Sequence, residues 1–313
     1  MRRYLASRFA GMAVVMLLVA TVVFFITRLA PGDPAAVMLG EQATAADIAQ
    51  LRASYGLDKP LPVQFVYWLG QLARGDLGQS IFLQRPVTQA LWERAEPTLF
   101  LTLFSIAIAT GIGVPSGIVS AVWRGRAIDQ VFSGFAMLGA SIPSFWFGLI
   151  LMQVFAVGLG WFPVAGYGDP GVPLSDRLHH LVLPAIVLGV VNSALILRFT
   201  RASMLDVLGE DHIRTARAKG ASEARVILHH ALRNALIPVI TVLGLTFALL
   251  VGGAIVTETV FGLPGIGNLV VSAVLRRDYP VIQGALLVIA GLYVLINLAI
   301  DLLYLVVDPR VTY

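Results

Sequence analysis

Long runs without a charged residue constrain this chain more than any other feature. Asp, Glu, Lys and Arg are all absent from positions 9–27, 97–123, 234–257 and 279–300. A helix needs about 20 mainly apolar residues to cross a hydrocarbon core of about 30 Å. These four runs therefore predict four membrane-spanning helices.

Two further runs raise the predicted number of spans to about six. Positions 130–168 lack charged residues but are too many for one helix, and Trp161, Pro163 and Gly166 indicate where that helix ends. Positions 181–197 form a shorter run that spans the bilayer if its flanks are included. With 58% hydrophobic and 13% charged residues, the chain is predicted to be an all-α polytopic membrane protein.

The first apolar run has one alternative interpretation, because Arg2, Arg3 and Arg8 precede it as they would in a signal peptide. The apolar part of a signal peptide is about 7–15 residues long and is followed by a small-x-small cleavage site. This run is longer and no such site follows it, which favours a membrane helix.

The sequence offers no evident catalytic or metal centre. Cysteine is absent, which excludes disulfides, thiolate metal sites and a cysteine nucleophile. His229 and His230 are adjacent, so on a helix they point about 100° apart and form a poor metal site. The net charge of +4 arises from basic residues between the spans, which argues against a nucleic-acid partner. We therefore expect no catalytic residue, no metal site and no bound cofactor.

The distribution of basic residues predicts the orientation, since Lys and Arg favour short cytoplasmic loops. The short loops on the side opposite the cytoplasm are predicted to hold Arg177, Arg276 and Arg277. The predicted cytoplasmic residues are Arg2, Arg3, Arg8, Arg124, Arg126, Arg198, Arg201, Arg214, Arg217, Lys219, Arg225, Arg233 and Arg310. Both termini are therefore expected in the cytoplasm.

Positions 30–95 have ordinary soluble composition and predict a small extracytoplasmic helical subdomain. Thr44 and Asp47 form a capping-box-like start for a helix over 45 to about 55. Pro60 precedes a second helix that Gly75 ends. The subdomain either caps the outer mouth or docks an external partner.

The charged region at 201–235 predicts a helix, a turn and a second helix on the cytoplasmic side. Acidic residues come first and basic residues follow, Glu210 and Arg214 have the spacing of an i, i+4 pair, and Gly220 supplies a C-terminal stop. Ser222 begins a second helix that leads to Pro238. The first helix would act as a lever if a partner outside the membrane bound it.

Small residues recur at helix-packing spacing in two predicted spans. Gly113 and Gly117 flank Pro115, and Gly189 stands four positions before Ser193. Small residues allow close approach of membrane helices, so we expect these positions to pack within the chain.

Several polar residues fall within predicted spans. Ser141, Ser144 and Asn192 are candidates for a polar translocation path, although packing explains them equally well. Glu258 lies at the outer end of the fifth span and is a further path candidate. Interfacial pairing is its alternative role.

The charged loop resembles a known family. Residues Asp211–Gly220 (DHIRTARAKG) and His230–Pro238 (HALRNALIP) are similar to the cytoplasmic loop of bacterial ABC-importer permeases, and more narrowly of the B-type subunit of the dipeptide, oligopeptide and nickel group. Supporting motifs along the chain are LAPGDP at 29–34, YGLD at 55–58, GDLG at 75–78, GGAIVTE at 252–258 and DPRVTY at 308–313.

The resemblance implies that the first loop helix is a coupling helix that sits in a groove of a separate ATPase, about Leu208 to Ser222. The implied coupling residues are Glu210, Asp211, Arg214, Thr215, Ala216, Arg217, Ala218, Lys219 and Gly220. Ala216, Ala218 and Gly220 would allow close approach. Arg214 and Arg217 would pair with ATPase acids or remain solvated. The general permease motif begins with Glu-Ala-Ala, which this chain replaces with Arg214, Thr215 and Ala216, so the acidic contact of that motif is not transferred.

The resemblance also implies the organisation of the chain. It predicts the type I ABC importer permease fold, with an N-terminal helix at 1–29, the subdomain at 30–95, a core at 96–306 and a cytoplasmic C-terminus at 307–313. The predicted core spans are about 97–122, 131–157, 181–200, 236–258 and 282–305.

The implied function is half of a translocation pathway for di- and oligopeptides across the bacterial inner membrane. The implied partners are a homologous second permease, two ATP-binding-cassette ATPase subunits or domains that hold ATP and Mg, an extracytoplasmic binding protein and membrane lipid. The chain has no phosphate-binding G-x-x-x-x-G-K-[ST] loop of its own. Nickel or glutathione import, an ion-gradient-driven transporter and a membrane enzyme are the alternatives.

Overall fold

A computed structural model describes residues 2–29, 36, 39, 44–54, 57–168 and 171–307. The motif residues Pro31 to Pro34, Tyr55 and Gly56, together with Arg310 and the rest of the terminal motif at 308–313, lie outside the described residues. The helices are α1 (Arg2–Leu29), α2 (Ala45–Ser54), α3 (Leu61–Ala73), α4 (Val87–Val122), α5 (Ala127–Ser141), α6 (Ser144–Leu151), α7 (Leu174–His179), α8 (Val182–Leu208), α9 (Asp211–Ala218), α10 (Glu223–Arg225), α11 (Leu232–Val260), α12 (Ile266–Arg276) and α13 (Tyr279–Val307). Wide π-helical turns at Met152–Gly158 and Val226–Ala231 extend α6 and join α10 to α11.

The all-α membrane fold is confirmed. Within the described residues, five helical stretches are long and apolar enough to cross a membrane, and a bent pair adds a sixth if it counts as one span. The five are Arg8–Arg28, Val87–Val122, Val182–Leu208, Glu223–Val260 and Tyr279–Leu303. Among the described residues the only strand-like feature is one bridge between Gln79 and Pro86.

The predicted span at 131–157 differs from a straight helix. Helices α5 and α6 meet at an angle of 101°, and Ile142 between them is extended, with φ −84° and ψ 123°. Pro143 lacks a backbone N–H and disfavours helical geometry in the residue before it. The Ile142–Pro143 dipeptide therefore breaks the helix.

The chain divides into two compact units. One comprises Met1–Glu96 with Asn268–Leu295, and the other comprises Pro97–Gly267 with Ile296–Thr312. The first unit holds α2 and α3. The second holds the charged loop.

In the first unit, polar and aromatic contacts fix the segments around α1 and α13. The carboxylate of Asp278, which is 2% exposed, accepts hydrogen bonds from Ser80 Oγ at 2.5 Å and Phe82 N at 3.1 Å. The ring of Phe24 packs against Phe65 and Trp68, with centroids 5.2 and 5.4 Å away. These contacts join α1 to α3 and the 80–82 turn to the start of α13.

The predicted capping box of α2 is present. Thr44 N donates to Asp47 Oδ2 at 3.1 Å, and Asp47 N donates to Thr44 Oγ1 at 3.2 Å. The Thr44 hydroxyl also donates to the Asp47 carboxylate and lowers the pKa of Asp47.

In the second unit, α4 and α8 pack at glycines. A Cβ added to Gly113 would lie 2.7 Å from Ile196 Cβ, and one added to Gly117 would lie 2.6 Å from Thr200 Cβ. From the opposite helix, a Cβ on Gly189 would lie 2.6 Å from Ile108 Cγ2. The small residues thus pack within the chain, as their spacing predicts.

Candidate functional site

Helix α9 is a short polar helix, and the apolar side chain of Ile213 anchors it to the rest of the second unit. Ile213 is 0% exposed and belongs to a buried cluster with Met204, Val226 and Ala231. Burial of such a side chain stabilises by about 1.5–3 kcal/mol. Met204 lies near the end of α8, and Val226 begins the π-helical turn before α11. Ile213 therefore connects the loop to the end of α8 and to the segment that leads into α11.

The opposite side of α9 is exposed. Asp211, Arg214, Thr215 and Ala218 follow the i, i+3, i+4, i+7 spacing of one helical face, and all four are exposed. We call these four residues the outer face of α9. An exposed stripe on an anchored helix is suited to contact with another protein.

The end of α9 confirms the predicted stop at Gly220. The glycine has φ +80°, and its N–H donates to Arg217 O at 2.9 Å. A side chain is strained in this left-handed conformation. Because a Cβ at Gly220 would meet no atom within 4 Å, the backbone conformation rather than close packing within the chain requires glycine.

The charges of the loop are paired differently from the sequence prediction. The predicted Glu210–Arg214 pair is wrong: Arg214 Nη1 lies 3.2 Å from Asp211 Oδ1, and Glu210 Oε2 lies 3.0 Å from His212 Nδ1. Arg214 reaches Asp211 because residues three apart also share a helix face. These pairs are exposed, and such pairs contribute little to stability.

Arg217 closes the turn between α9 and α10. Its Nε donates to Glu223 Oε1 at 2.8 Å and its Nη2 donates to Glu223 Oε2 at 3.1 Å. This bidentate bond raises the pKa of Arg217, whose side chain is engaged within the chain rather than simply solvated.

The remaining predicted coupling residues have varied surroundings. Thr215 Oγ1 donates to Asp211 O at 2.9 Å, and Ala216 is half-buried against the cluster around Ile213. Lys219 is exposed, like Ala218 and Gly220. Of the three predicted close-approach residues, the structure therefore leaves Ala218 and Gly220 open and turns Ala216 partly inward.

Two hydrogen bonds connect the loop region to the spans. Asn234 Nδ2 at the start of α11 lies 3.2 Å from His212 Nε2 on α9. Ser203 Oγ on α8 donates to Ala235 O on α11 at 3.1 Å. The first bond joins α9 to α11, and the second joins α11 to α8.

Two of the predicted path residues, Ser141 and Asn192, bond to backbone carbonyls of their own helices. Ser141 Oγ donates to Met137 O and Asn192 Nδ2 donates to Leu188 O, each at 2.8 Å. Ser141 is exposed, while Ser144 and Asn192 are half-buried.

Glu258 is instead completely buried, at 0% exposure. It accepts a hydrogen bond from Thr98 Oγ1 at 2.6 Å, and Thr98 Oγ1 accepts one from Ile266 N at 2.9 Å. A Cβ added to Gly265 would lie 2.2 Å from Glu258 Cδ. These contacts fasten α4, α11 and the start of α12 together.

Sequence reasoning missed an ion pair near the charged loop. Arg201 Nε and Nη2 donate to the two oxygens of Asp129 at 2.7 and 2.8 Å, and Ser120 Oγ and Gly125 N donate to them at 2.5 and 2.9 Å. The sequence signal for this pair was Asp129, a single acid at the edge of the charge-free run 130–168. An unpaired carboxylate is costly there, so a basic partner could have been expected. The pair joins the end of α4, the start of α5 and α8.

No group of three or more His, Cys, Asp or Glu side chains that could hold a metal ion occurs in the part of the chain that the structure describes. The rings of His229 and His230 are edge to face, with centroids 5.2 Å apart.

Apolar helices that hold an exposed polar helix between two spans define a polytopic membrane protein. The chain belongs to the family of binding-protein-dependent transport system inner membrane components, the ABC-importer permeases: that family matches residues 113–313, and its N-terminal component matches residues 1–102.

Two relatives match the chain along its whole length. The probable peptide ABC transporter permease protein y4tP of Sinorhizobium fredii is 46% identical over 99% of both chains. The glutathione transport system permease protein GsiC of Pectobacterium atrosepticum is 47% identical over 100% of both.

A solved structure supports the fold. A chain of the inward-facing MetNI methionine ABC transporter superposes with a TM-score of 0.58 at 21% identity, covering 71% of this chain and 97% of that one.

Proposed function

We propose that this permease forms half of the pathway that imports short peptides across the cytoplasmic membrane, and that α9 couples it to a separate ATPase. The outer face of α9 is the observation that carries the proposal. It offers an exposed stripe on a helix whose opposite side is anchored by Ile213.

In the proposed mechanism, closure of the ATPase pushes on the outer face of α9. Ile213 and the His212–Asn234 bond pass the displacement to α8 and α11. The Arg217–Glu223 bond keeps the turn after α9 closed, so that α9 moves together with the start of α11. The ATPase then biases two states of the transmembrane helices, which is the requirement for coupling.

The proposed assembly contains a second permease subunit, two ATPase subunits or domains, and an extracytoplasmic binding protein. ATP and Mg bind to the ATPases, because this sequence has no phosphate-binding loop. Both termini lie in the cytoplasm, which agrees with the distribution of Lys and Arg. Ser141, Ser144, Asn192 and Glu258 remain candidates for the path.

Short peptides are the proposed substrate class. One relative is named for peptide transport and the other for glutathione, which is itself a tripeptide. The shared chemistry is a short chain of amide bonds with a free carboxylate.

The test is to reconstitute the complete transporter in vesicles and to measure ATP hydrolysis when the binding protein is added. Dipeptides, longer peptides, glutathione and Ni²⁺ are supplied separately. Stimulation by a peptide or by glutathione supports the substrate class, whereas stimulation by Ni²⁺ alone contradicts it. Uptake that continues without ATP but stops when the proton gradient collapses would instead indicate a secondary transporter.

Substitution of Ala218 by tryptophan is expected to reduce transport at least about tenfold, which corresponds to ~1.4 kcal/mol of docking energy. The bulky ring projects from the outer face of α9, where no packing within the chain has to change. Gly220 is a poorer probe, because any side chain there strains a backbone with φ +80°.

The control is Ala224→Trp, which changes an equally exposed alanine in α10, outside Leu208–Ser222. Uptake and ATPase binding are measured for both variants. Equal transport by Ala218→Trp and the unaltered permease would disprove the assignment of α9.

A further inference from the structure

A cavity of about 490 Å³ lies within the unit formed by Met1–Glu96 and Asn268–Leu295. Thr27 and Arg28 at the end of α1 contribute to its wall, as do residues of α2, α3 and the start of α13. This volume falls within the range of small-molecule sites. The established family and the proposed coupling at α9 assign no role to it.

The wall of the cavity is positively charged. Arg28 and Lys59 both line it, and among the described residues that form the wall there is no aspartate or glutamate. Half of the other polar side chains in the wall are amides, among them those of Gln71 and Gln79. The electrostatics therefore favour an anion, and the amides can donate further hydrogen bonds to it.

Arg28 is held in place, and none of the described residues that line the cavity with it is acidic. Its guanidinium lies over the ring of Phe24, 5.3 Å from the centroid, and its buried Nε has no hydrogen-bond partner within the described structure. Buried polar groups are normally paired, and an exception calls for an explanation. An oxyanion that binds the guanidinium would compensate this charge.

The position of Arg28 identifies the source of the anion. The first apolar span is Arg8–Arg28, so Arg28 stands where the hydrocarbon core meets the headgroup layer. Tyr67, Trp68 and Tyr279 also line the cavity, and such rings favour that layer. Basic pockets beside membrane helices are suited to lipid headgroups.

We propose that this cavity binds the phosphate of a phospholipid headgroup, with Arg28 as its principal ligand and Lys59 as a second cation. The acyl chains extend along the apolar surface of α1, where Val22 and Ile26 are exposed. The bound lipid thereby connects α1 to the helices α2 and α3.

The test titrates the purified full-length permease in detergent with short-chain phosphatidylglycerol and counts bound lipid by native mass spectrometry. Arg28→Gln is expected to weaken binding about tenfold, since a bond to a charged group is lost, and Arg28→Lys should retain part of it. Arg8→Gln, at the other end of the same span, is the matched control and should leave this binding unchanged.

A second variant tests the cavity without altering Arg28. Ala53 is exposed and lines the cavity, so Ala53→Trp should obstruct it and weaken binding while the fold is retained. Thermal unfolding of each variant verifies the fold. If Arg28→Gln does not fold, the Ala53→Trp result decides.

Two further probes distinguish a lipid from a soluble phosphate as the source of the ligand. One lacks the phosphate and the other lacks the acyl chains. Diacylglycerol, which lacks phosphate, should not bind the site. Glycerol 3-phosphate that binds as tightly as the lipid would support phosphate as the ligand and overturn the membrane as its source. Equal binding of diacylglycerol, equal effects of Arg28→Gln and Arg8→Gln, or displacement of the lipid by a dipeptide would each overturn the proposal.

Discussion

Replacing Asp129 by alanine is expected to lower the free energy of unfolding by about 3–5 kcal/mol, the usual cost of removing one partner from a buried ion pair. The Asp129 side chain is 7% exposed and that of Arg201 is 29% exposed. Without the carboxylate, Arg201 loses its bidentate partner, and Ser120 Oγ and Gly125 N lose their acceptor. The end of α4, the start of α5 and α8 are then no longer joined through this carboxylate.

The measurement is thermal or denaturant unfolding of the purified permease. Glu93→Ala is the control, because the Arg85–Glu93 pair is similarly short, at 2.6 Å against 2.7 Å, but its side chains are 32% and 43% exposed. That loss should cost about 0–1 kcal/mol. The double variant Asp129→Leu with Arg201→Met should recover much of the stability. Similar losses in Asp129→Ala and Glu93→Ala would contradict the role of the buried pair.

Replacing Gly113 by alanine is expected to destabilise the protein by about 1–3 kcal/mol, the typical cost of overpacking. The new methyl group would lie 2.7 Å from Ile196 Cβ and 2.9 Å from Ser193 O. Backbone atoms of α8 cannot move away as the end of a flexible side chain can. Helices α4 and α8 would have to separate.

Gly111 on the same helix provides the matched control. A Cβ at this position meets no atom within 4 Å, so Gly111→Ala should be neutral or stabilising by about 0.5–1 kcal/mol through helix propensity. The two variants are compared by their unfolding midpoints and by the yield of folded protein. Equal midpoints for the two variants would show that α4 and α8 do not pack as described.

Features that depend on neighbouring residues could be predicted from the sequence. The charge-free runs indicate the spans because crossing length and composition are local properties. The cap between Thr44 and Asp47 spans three positions, and the stop at Gly220 depends on one residue's conformation. The loop motifs also identify the permease family.

Features that depend on distant residues could not be predicted. Asp129 and Arg201 are 72 positions apart, and nothing in either segment identifies the other. The burial of Glu258 depends on Thr98, 160 positions away. Within the loop, Arg214 had two acids within reach, and spacing alone did not choose Asp211 over Glu210. The orientation of the termini and the path residues remain predictions.

The glycine contacts between α4 and α8 also restrict how the permease can move. Gly113, Gly117 and Gly189 bring the two helices so close that a Cβ at any of them would lie 2.6–2.7 Å from a side chain of the other helix. We therefore expect the two helices to move together through a transport cycle. Changes of shape have to occur at joints outside that pair, and the sharp corner at Ile142–Pro143 has the geometry of such a joint.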